Sequence, residues 1–189
     1  MLAAAVPLPS RSAVAQEPVN QPVLRLQAAL LAAEPGESFA ERRARLAPVV
    51  ADVFDYATMS RAAVGSTWAE LEASERARLI DQFADYATAN YAARFDNPEN
   101  LTFEIVATRP ADGGRTWVET RLLRPAEEPV DFEYLVQPTD AGPKIVNVVV
   151  DGSLNELARR RAEFRALLAE GGFDHLMATL ERQTEAAGG

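Results

Sequence analysis

Apolar residues recur every three or four positions up to about residue 97, every second position from about 101 to 150, and every three or four again to the C-terminus. The first stretch opens at Pro22 with Val23, Leu24, Leu30 and Leu31, and Pro35-Gly36 closes it. Ser38 and Glu41 form a capping-box pair ahead of Phe39, Leu46, Val49, Val50 and Phe54, so a second helix starts there. A short apolar third segment runs from Asp55 to Gly65, where Gly65 with Ser66 or Thr67 marks a turn before Trp68. Ser74 is the expected cap of the strongest helix, in which Leu79, Phe83, Tyr86, Ala87, Tyr91 and Phe95 make one stripe. Pro98 ends it.

The period of two then predicts four strands: Leu101 to Val106, Thr116 to Leu123, Val130 to Val136 and Lys144 to Val150. The connections, Asp112-Gly113-Gly114, Pro125 to Pro129 and Pro138 to Pro143, are short enough for an antiparallel meander. Alternation puts Val118, Leu122, Phe132, Tyr134, Val136, Val146, Val148 and Val150 on one face. Glu119, Arg121, Asp131, Glu133 and Asn147 fall on the other. A one-sided sheet of this kind must be covered by the flanking helices, which makes the chain an α+β protein. Ser153 and Glu156 read as a second capping box, opening a helix through Leu154, Leu157, Phe164, Leu167 and Leu168 that stops at Gly171-Gly172. A last helix is expected from about Asp174 to Glu185.

Residues 1–15 stand apart. Met1 to Val6 is a short apolar run, and Ala13-Val14-Ala15 ahead of Gln16-Glu17-Pro18 has the small-x-small form of a signal-peptidase site, so cleavage is expected after Ala15. The run lacks a basic start and is interrupted by Pro7, Pro9 and Arg11. Residues 16–189 are then a single domain: a helical part over about 22–97, the sheet over about 101–150 and the C-terminal helices over about 153–185. The chain has 189 residues, 48% of them hydrophobic, enough for one substantial core. No later stretch reaches the roughly 20 apolar residues of a membrane span.

The formal charge of -9, or -10 once Arg11 is removed, argues against a nucleic-acid partner, which calls for a cationic surface. There is no cysteine, so thiolate nucleophiles and Cys-based zinc sites are absent, and the only histidine, His175, reads as a surface or capping residue rather than a general base. One histidine and no dense carboxylate cluster leave few ligand sets, so no cofactor or metal site is expected. Asp131 and Glu133 share a strand face, as a catalytic carboxylate pair would, and with Arg121 and Glu119 on that face a solvated cross-strand charge ladder explains them as well. Arg159-Arg160-Arg161 is the only basic run; it is either a solvated helix face or a contact for an anionic headgroup or acidic partner. The inward tyrosines, phenylalanines and valines either fill a core or line a cavity suited to acyl chains or a polycyclic hydrocarbon. Periodicity alone does not separate the two.

Several segments in register resemble a known family. Phe54-Asp55-Tyr56-Ala57-Thr58-Met59 with Gly65-Ser66-Thr67-Trp68 is similar to the F-D-[FY]-x-x-M and G-x-x-W elements of the MlaC, or toluene-tolerance (Ttg2-type), periplasmic phospholipid-binding family, followed by Ser74-Glu75-Arg76. Pro129 to Tyr134 resembles its P-V-x-[VF]-x-[YW] strand and Lys144 to Gly152 its W-K-[IV]-x-D-V-x-[VI]-[ED]-G strand, the likeness extending from about Val49 to Leu180. Asn147 stands where the family usually carries Asp. The Leu157-Ala158-Arg159-Arg160-Arg161-Ala162-Glu163-Phe164 segment looks more like the hopanoid-biosynthesis-associated HpnM branch.

The resemblance implies an NTF2-like curved four-stranded antiparallel sheet wrapped by helices around a hydrophobic pocket. It also implies a non-enzymatic periplasmic carrier in a Gram-negative bacterium. Such a carrier shuttles phospholipid or a hopanoid-type lipid between an inner-membrane MCE-domain/ABC transporter, or a related exporter, and an outer-membrane lipoprotein complex. On this reading Tyr91, Phe95, Val118, Phe132, Tyr134, Val148, Val150, Leu154 and Phe164 line the pocket, with Arg159, Arg160 and Arg161 near its mouth. Two other readings remain open: a small NTF2-like isomerase or dehydratase using Asp131 or Asp151, and an envelope adaptor whose pocket is filled by side chains.

Overall fold

A computed structural model describes residues 18–188, so the expected cleavage site after Ala15 lies outside the described residues. Helices α1 (Gln21–Leu31), α2 (Phe39–Val53), α3 (Tyr56–Val64) and α4 (Ala73–Arg94) precede strands β1 (Thr102–Pro110), β2 (Thr116–Leu123), β3 (Val130–Thr139), β4 (Gly142–Val150) and β5 (Leu154–Asn155). Helix α5 (Glu156–Ala186) closes the chain. The sheet is an antiparallel meander in the order β1-β2-β3-β4-β5. Its fifth strand, absent from the four-strand expectation, is a two-residue return in which Leu154 pairs with Val150 and Asn155 with Val149.

Caps set the helix boundaries, and two lie elsewhere than expected. Ser38 and Glu41 form the predicted capping box of α2. Helix α4 begins at Ala73, with Ser74 inside it rather than capping it, because Glu72 and Glu75 form the box two residues ahead of the expected cap. For α5 the cap is Asn155, whose Oδ1 accepts from the Ala158 amide at 2.9 Å, and not Ser153. The chain is still in strand conformation at Leu154, so the helix cannot start at Ser153. The expected break at Gly171-Gly172 is present as non-helical backbone inside α5, with Gly172 at a φ of 71° that favours glycine.

Most of the predicted alternation holds, with one shift. Phe132 pairs with Val150 and Tyr134 with Val148, but a bulge after Leu135 then pairs Val136 with Ile145. The extra residue reverses the parity of β4 beyond it, so Ile145 rather than Val146 joins the main core. Asn147, expected on a solvated face, is buried, and its Oδ1 accepts from the amides of Val148 and Leu157. A buried acceptor therefore ties β4 to the first turn of α5. The charge ladder is as read: Arg121 meets Asp131 at 2.6 Å, and Arg109 meets Glu119 at 2.6 Å and also Glu133.

Helices α1, α2, α3 and α5 pack against β4, while α2 packs on α4 and α4 on α5. Val23, Leu26, Leu30, Leu46, Val50, Leu79, Leu176 and Leu180 are each 1% exposed or less and form the closely filled part of the interior. Strand β1 is exposed almost throughout; only Phe103 turns partly inward.

Candidate functional site

The α2–α3 junction positions the site. Phe54 leaves α2 in extended conformation and forms a parallel bridge with Ile145, while the Asp55 amide donates to the Ile145 carbonyl at 2.9 Å. Asp55 then caps α3: its carboxylate accepts from the Thr58 amide at 2.9 Å, the Thr58 hydroxyl at 2.7 Å and Gln137 at 3.2 Å. Phe54 and Tyr56 are thereby held against the sheet, on either side of a residue pinned to it.

Between this junction, α4, the start of α5 and the inner face of β3–β4 lies a cavity of about 100 Å³. Its α4 wall is Phe83, Tyr86, Ala87, Asn90, Tyr91 and Arg94, positions that fall on one helical face. Phe54, Tyr56 and Met59 form a second wall, Phe132, Val148 and Val150 the sheet wall, and Glu156, Arg159 and Arg160 the α5 wall. The wall is graded. Phe54, Tyr56, Met59, Phe83 and Val148 are buried, whereas Arg94 and Arg159 are exposed and Asn90 and Glu156 half-buried. One end is therefore aromatic and closed, the other polar and open to solvent.

An unbroken chain of ring contacts follows the cavity, from Phe164 through Phe83, Tyr56, Phe54, Tyr91, Phe95 and Phe103 to Phe132 and Tyr134, with centroids 5.4–6.5 Å apart. Such contacts fix ring orientations beyond simple area burial. Burial pushes the Tyr56 and Tyr134 phenols far above their ordinary range. Burial does the same to Tyr91, with Tyr134, Tyr56 and Glu156 adding to the shift and Arg94 opposing it. All three stay neutral hydroxyls. The Tyr56 hydroxyl is buried without a hydrogen-bond partner, as is Oε1 of Glu156. A buried unpaired polar atom costs on the order of 1–3 kcal/mol.

The structure brings Tyr91, Phe132, Val148, Val150, Arg159 and Arg160 into one wall. Phe95 stands behind Tyr91, while Val118, Tyr134 and Phe164 belong to the surrounding core. Leu154 is 41% exposed on β5, away from the cavity, because the chain returns there at the sheet edge. The arginine run divides. Arg159 meets Glu156 at 2.6 Å at the mouth, and Arg161 points to solvent. Arg160 is buried, held by Glu163 at 2.6 Å and by the Tyr86 hydroxyl, with its guanidinium 4.3 Å from the Tyr86 ring centroid. Arg160 therefore braces α5 on α4.

Phe54, Tyr56, Met59, Phe83, Tyr86, Ala87, Asn90, Arg94 and Glu156 are wall residues that the sequence reading did not select for the pocket. For Asn90 and Arg94 the signal was available: they extend the Phe83–Tyr91 stripe by helical steps. Asp131 and Asp151 stay outside the wall, Asp131 bound to Arg121 and Asp151 accepting from the Asp131 amide at 3.0 Å. His175 is half-exposed, 3.4 Å from Glu170. Among the described residues no cluster of three metal-ligating side chains occurs, and no helix is long and apolar enough to cross a membrane.

A family model described as MlaC protein matches residues 24–182. A solved structure, that of the phospholipid-binding protein from Ralstonia solanacearum in complex with a phospholipid, superposes with a TM-score of 0.79 at 19% identity, covering 90% of this chain and 99% of that one. At that identity the likeness is one of fold. No curated protein sequence gives a significant match.

Proposed function

As the chain belongs to the MlaC protein family, we propose that it is a periplasmic lipid carrier that sequesters the tails of a membrane lipid and shuttles it between the inner and outer membranes. The observation that carries this reading is the gradient along the cavity, from a closed aromatic end to an open polar mouth. Each methylene hidden from water contributes about 0.8 kcal/mol, so a carrier needs a closed apolar chamber, and a lipid's polar head needs the opposite surroundings at its entrance. The phospholipid bound to the structurally similar Ralstonia protein supports a diacyl cargo. The Leu157–Phe164 segment keeps a hopanoid-type lipid as the narrower alternative.

The cavity of about 100 Å³ is smaller than the roughly 300–1,000 Å³ of ordinary ligand pockets. Tail entry on this reading separates the α3–α4 wall from the sheet, and a docking partner at either membrane, an MCE-domain/ABC transporter or an outer-membrane lipoprotein complex, supplies the occasion. Residues 1–15 serve as the export signal. The carrier works by binding and release, without catalysis.

Val148→Asp places a charge on the sheet wall of the cavity and tests the proposal. The expected result is a folded variant with several-fold less lipid per protein than the wild type, measured by organic extraction and mass spectrometry. Undiminished lipid in the folded variant would remove this cavity as the tail site.

A further inference from the structure

Glu156 is the only carboxylate in the described cavity wall, and half of it is unused. Its Oε2 accepts from Arg159 Nη2 at 2.6 Å, but Oε1 is buried and accepts nothing. A carboxylate in the first turn of a helix ordinarily finds the free amides there. In α5 two of those amides are already taken: Leu157 donates to Asn147 Oδ1 at 3.2 Å and Ala158 to Asn155 Oδ1 at 2.9 Å. Buried acceptors are paired in the great majority of cases, so an orphan carboxylate oxygen beside a cavity asks for a donor that arrives with the ligand.

The opposite sign is present on the facing helix. Arg94 also lines the cavity and takes part in none of the ion pairs among the described residues. Tyr91 feels both groups, since Glu156 pushes its phenol up and Arg94 opposes. The mouth thus offers an unpaired acceptor and an unpaired cation within electrostatic reach of one side chain.

We propose that this mouth selects its cargo by the head, taking lipids whose head joins a negatively charged phosphodiester to an N–H or O–H donor. The donor meets Glu156 Oε1 and the phosphodiester meets Arg94. An ethanolamine or glycerol head supplies the donor; a choline head, with its nitrogen fully methylated, does not. The inference rests on the carrier reading and adds head selectivity to it.

The test offers the full-length, delipidated protein mixed vesicles of phosphatidylethanolamine, phosphatidylglycerol and phosphatidylcholine with identical dioleoyl tails, and measures the recovered lipids by mass spectrometry. A hydrogen bond to a charged group predicts enrichment of the donor-bearing heads over choline by roughly tenfold. Dominance of ethanolamine assigns an ammonium donor, and dominance of glycerol a hydroxyl. Glu156→Ala is expected to bring the ratio to about one; Glu156→Met, which keeps the chain length, serves if the alanine variant folds poorly. Equal uptake of choline lipid by the wild type, or a ratio that survives loss of Glu156, overturns the selectivity and leaves the carrier intact. A phosphate-free hopanoid polyol that competes equally with the ethanolamine lipid overturns the role of Arg94. Uptake of none of these lipids removes the carrier reading and this inference with it.

Discussion

Two parts of the interior are both apolar, one aliphatic and one aromatic, and they pack in opposite ways. Around α1, α2, the N-terminal half of α4 and the C-terminal half of α5, Leu26, Leu30, Leu46, Leu79, Leu176 and Leu180 pack together and are essentially unexposed. Around α3, the C-terminal half of α4 and the start of α5, rings surround a hollow whose wall carries the unpaired Tyr56 hydroxyl and Glu156 Oε1. Branched aliphatic side chains adapt to one another and fill space, whereas rigid rings pinned at their backbones by Asp55 and the Ile145 bridge do not collapse onto each other. The filled part stabilises the fold, and the hollow part retains room and unmet hydrogen bonds.

This contrast makes graded predictions. Leu79→Ala in the filled part is expected to destabilise the protein by about 2–5 kcal/mol. Met59→Ala in the cavity wall is expected to cost less, about 2 kcal/mol, because part of its surface already faces empty space. Denaturant unfolding of the two variants compares them directly, and an equal or reversed order would erase the distinction. Next in size is Ala87→Trp, which places an indole in the cavity; lipid recovered by extraction should fall several-fold while cooperative unfolding persists. Tyr56→Phe removes an unpartnered hydroxyl and is expected to raise stability by about 1 kcal/mol. A loss of that size would mean the hydroxyl has a partner. The smallest effect belongs to the filled side, where Lys144 and then Arg25 hold the Asp52 carboxyl below its ordinary range. A depressed folded-state value contributes stability above the unfolded value of about 4, lost as pH falls through the folded value. For so exposed a pair this amounts to a few tenths of a kcal/mol, and Lys144→Met should remove the larger part of it from a pH series of unfolding curves, leaving the share of Arg25.

The helices and the meander were legible because each carries a single period, and the Ser38–Glu41 box announced its own helix. The bulge after Leu135 was not, since an extra residue within an apolar run leaves no mark when Ile145 and Val146 suit either face. Asn147 looked like an outward polar residue because its burial depends on the start of α5, which arrives only through the chain reversal at β5. Of the site, Tyr91, Phe132, Val148 and Val150 could be read from face and period, and Arg159 from its place in a basic run. Whether an inward ring borders a cavity or a neighbour is decided by distant partners such as the Phe54–Ile145 bridge. The separate fates of Arg159, Arg160 and Arg161 follow from the 100° step between successive helical residues, which sends only Arg160 onto Tyr86.

The central claim is that the hollow part of this interior holds lipid tails. Its most direct test is to purify the wild-type chain from a Gram-negative envelope, extract it with organic solvent and identify what was bound by mass spectrometry. The account predicts a membrane lipid at near-stoichiometric amount, phospholipid on the diacyl reading and hopanoid on the narrower one. An extract without lipid, from a protein that also fails to take lipid up from vesicles, would contradict it.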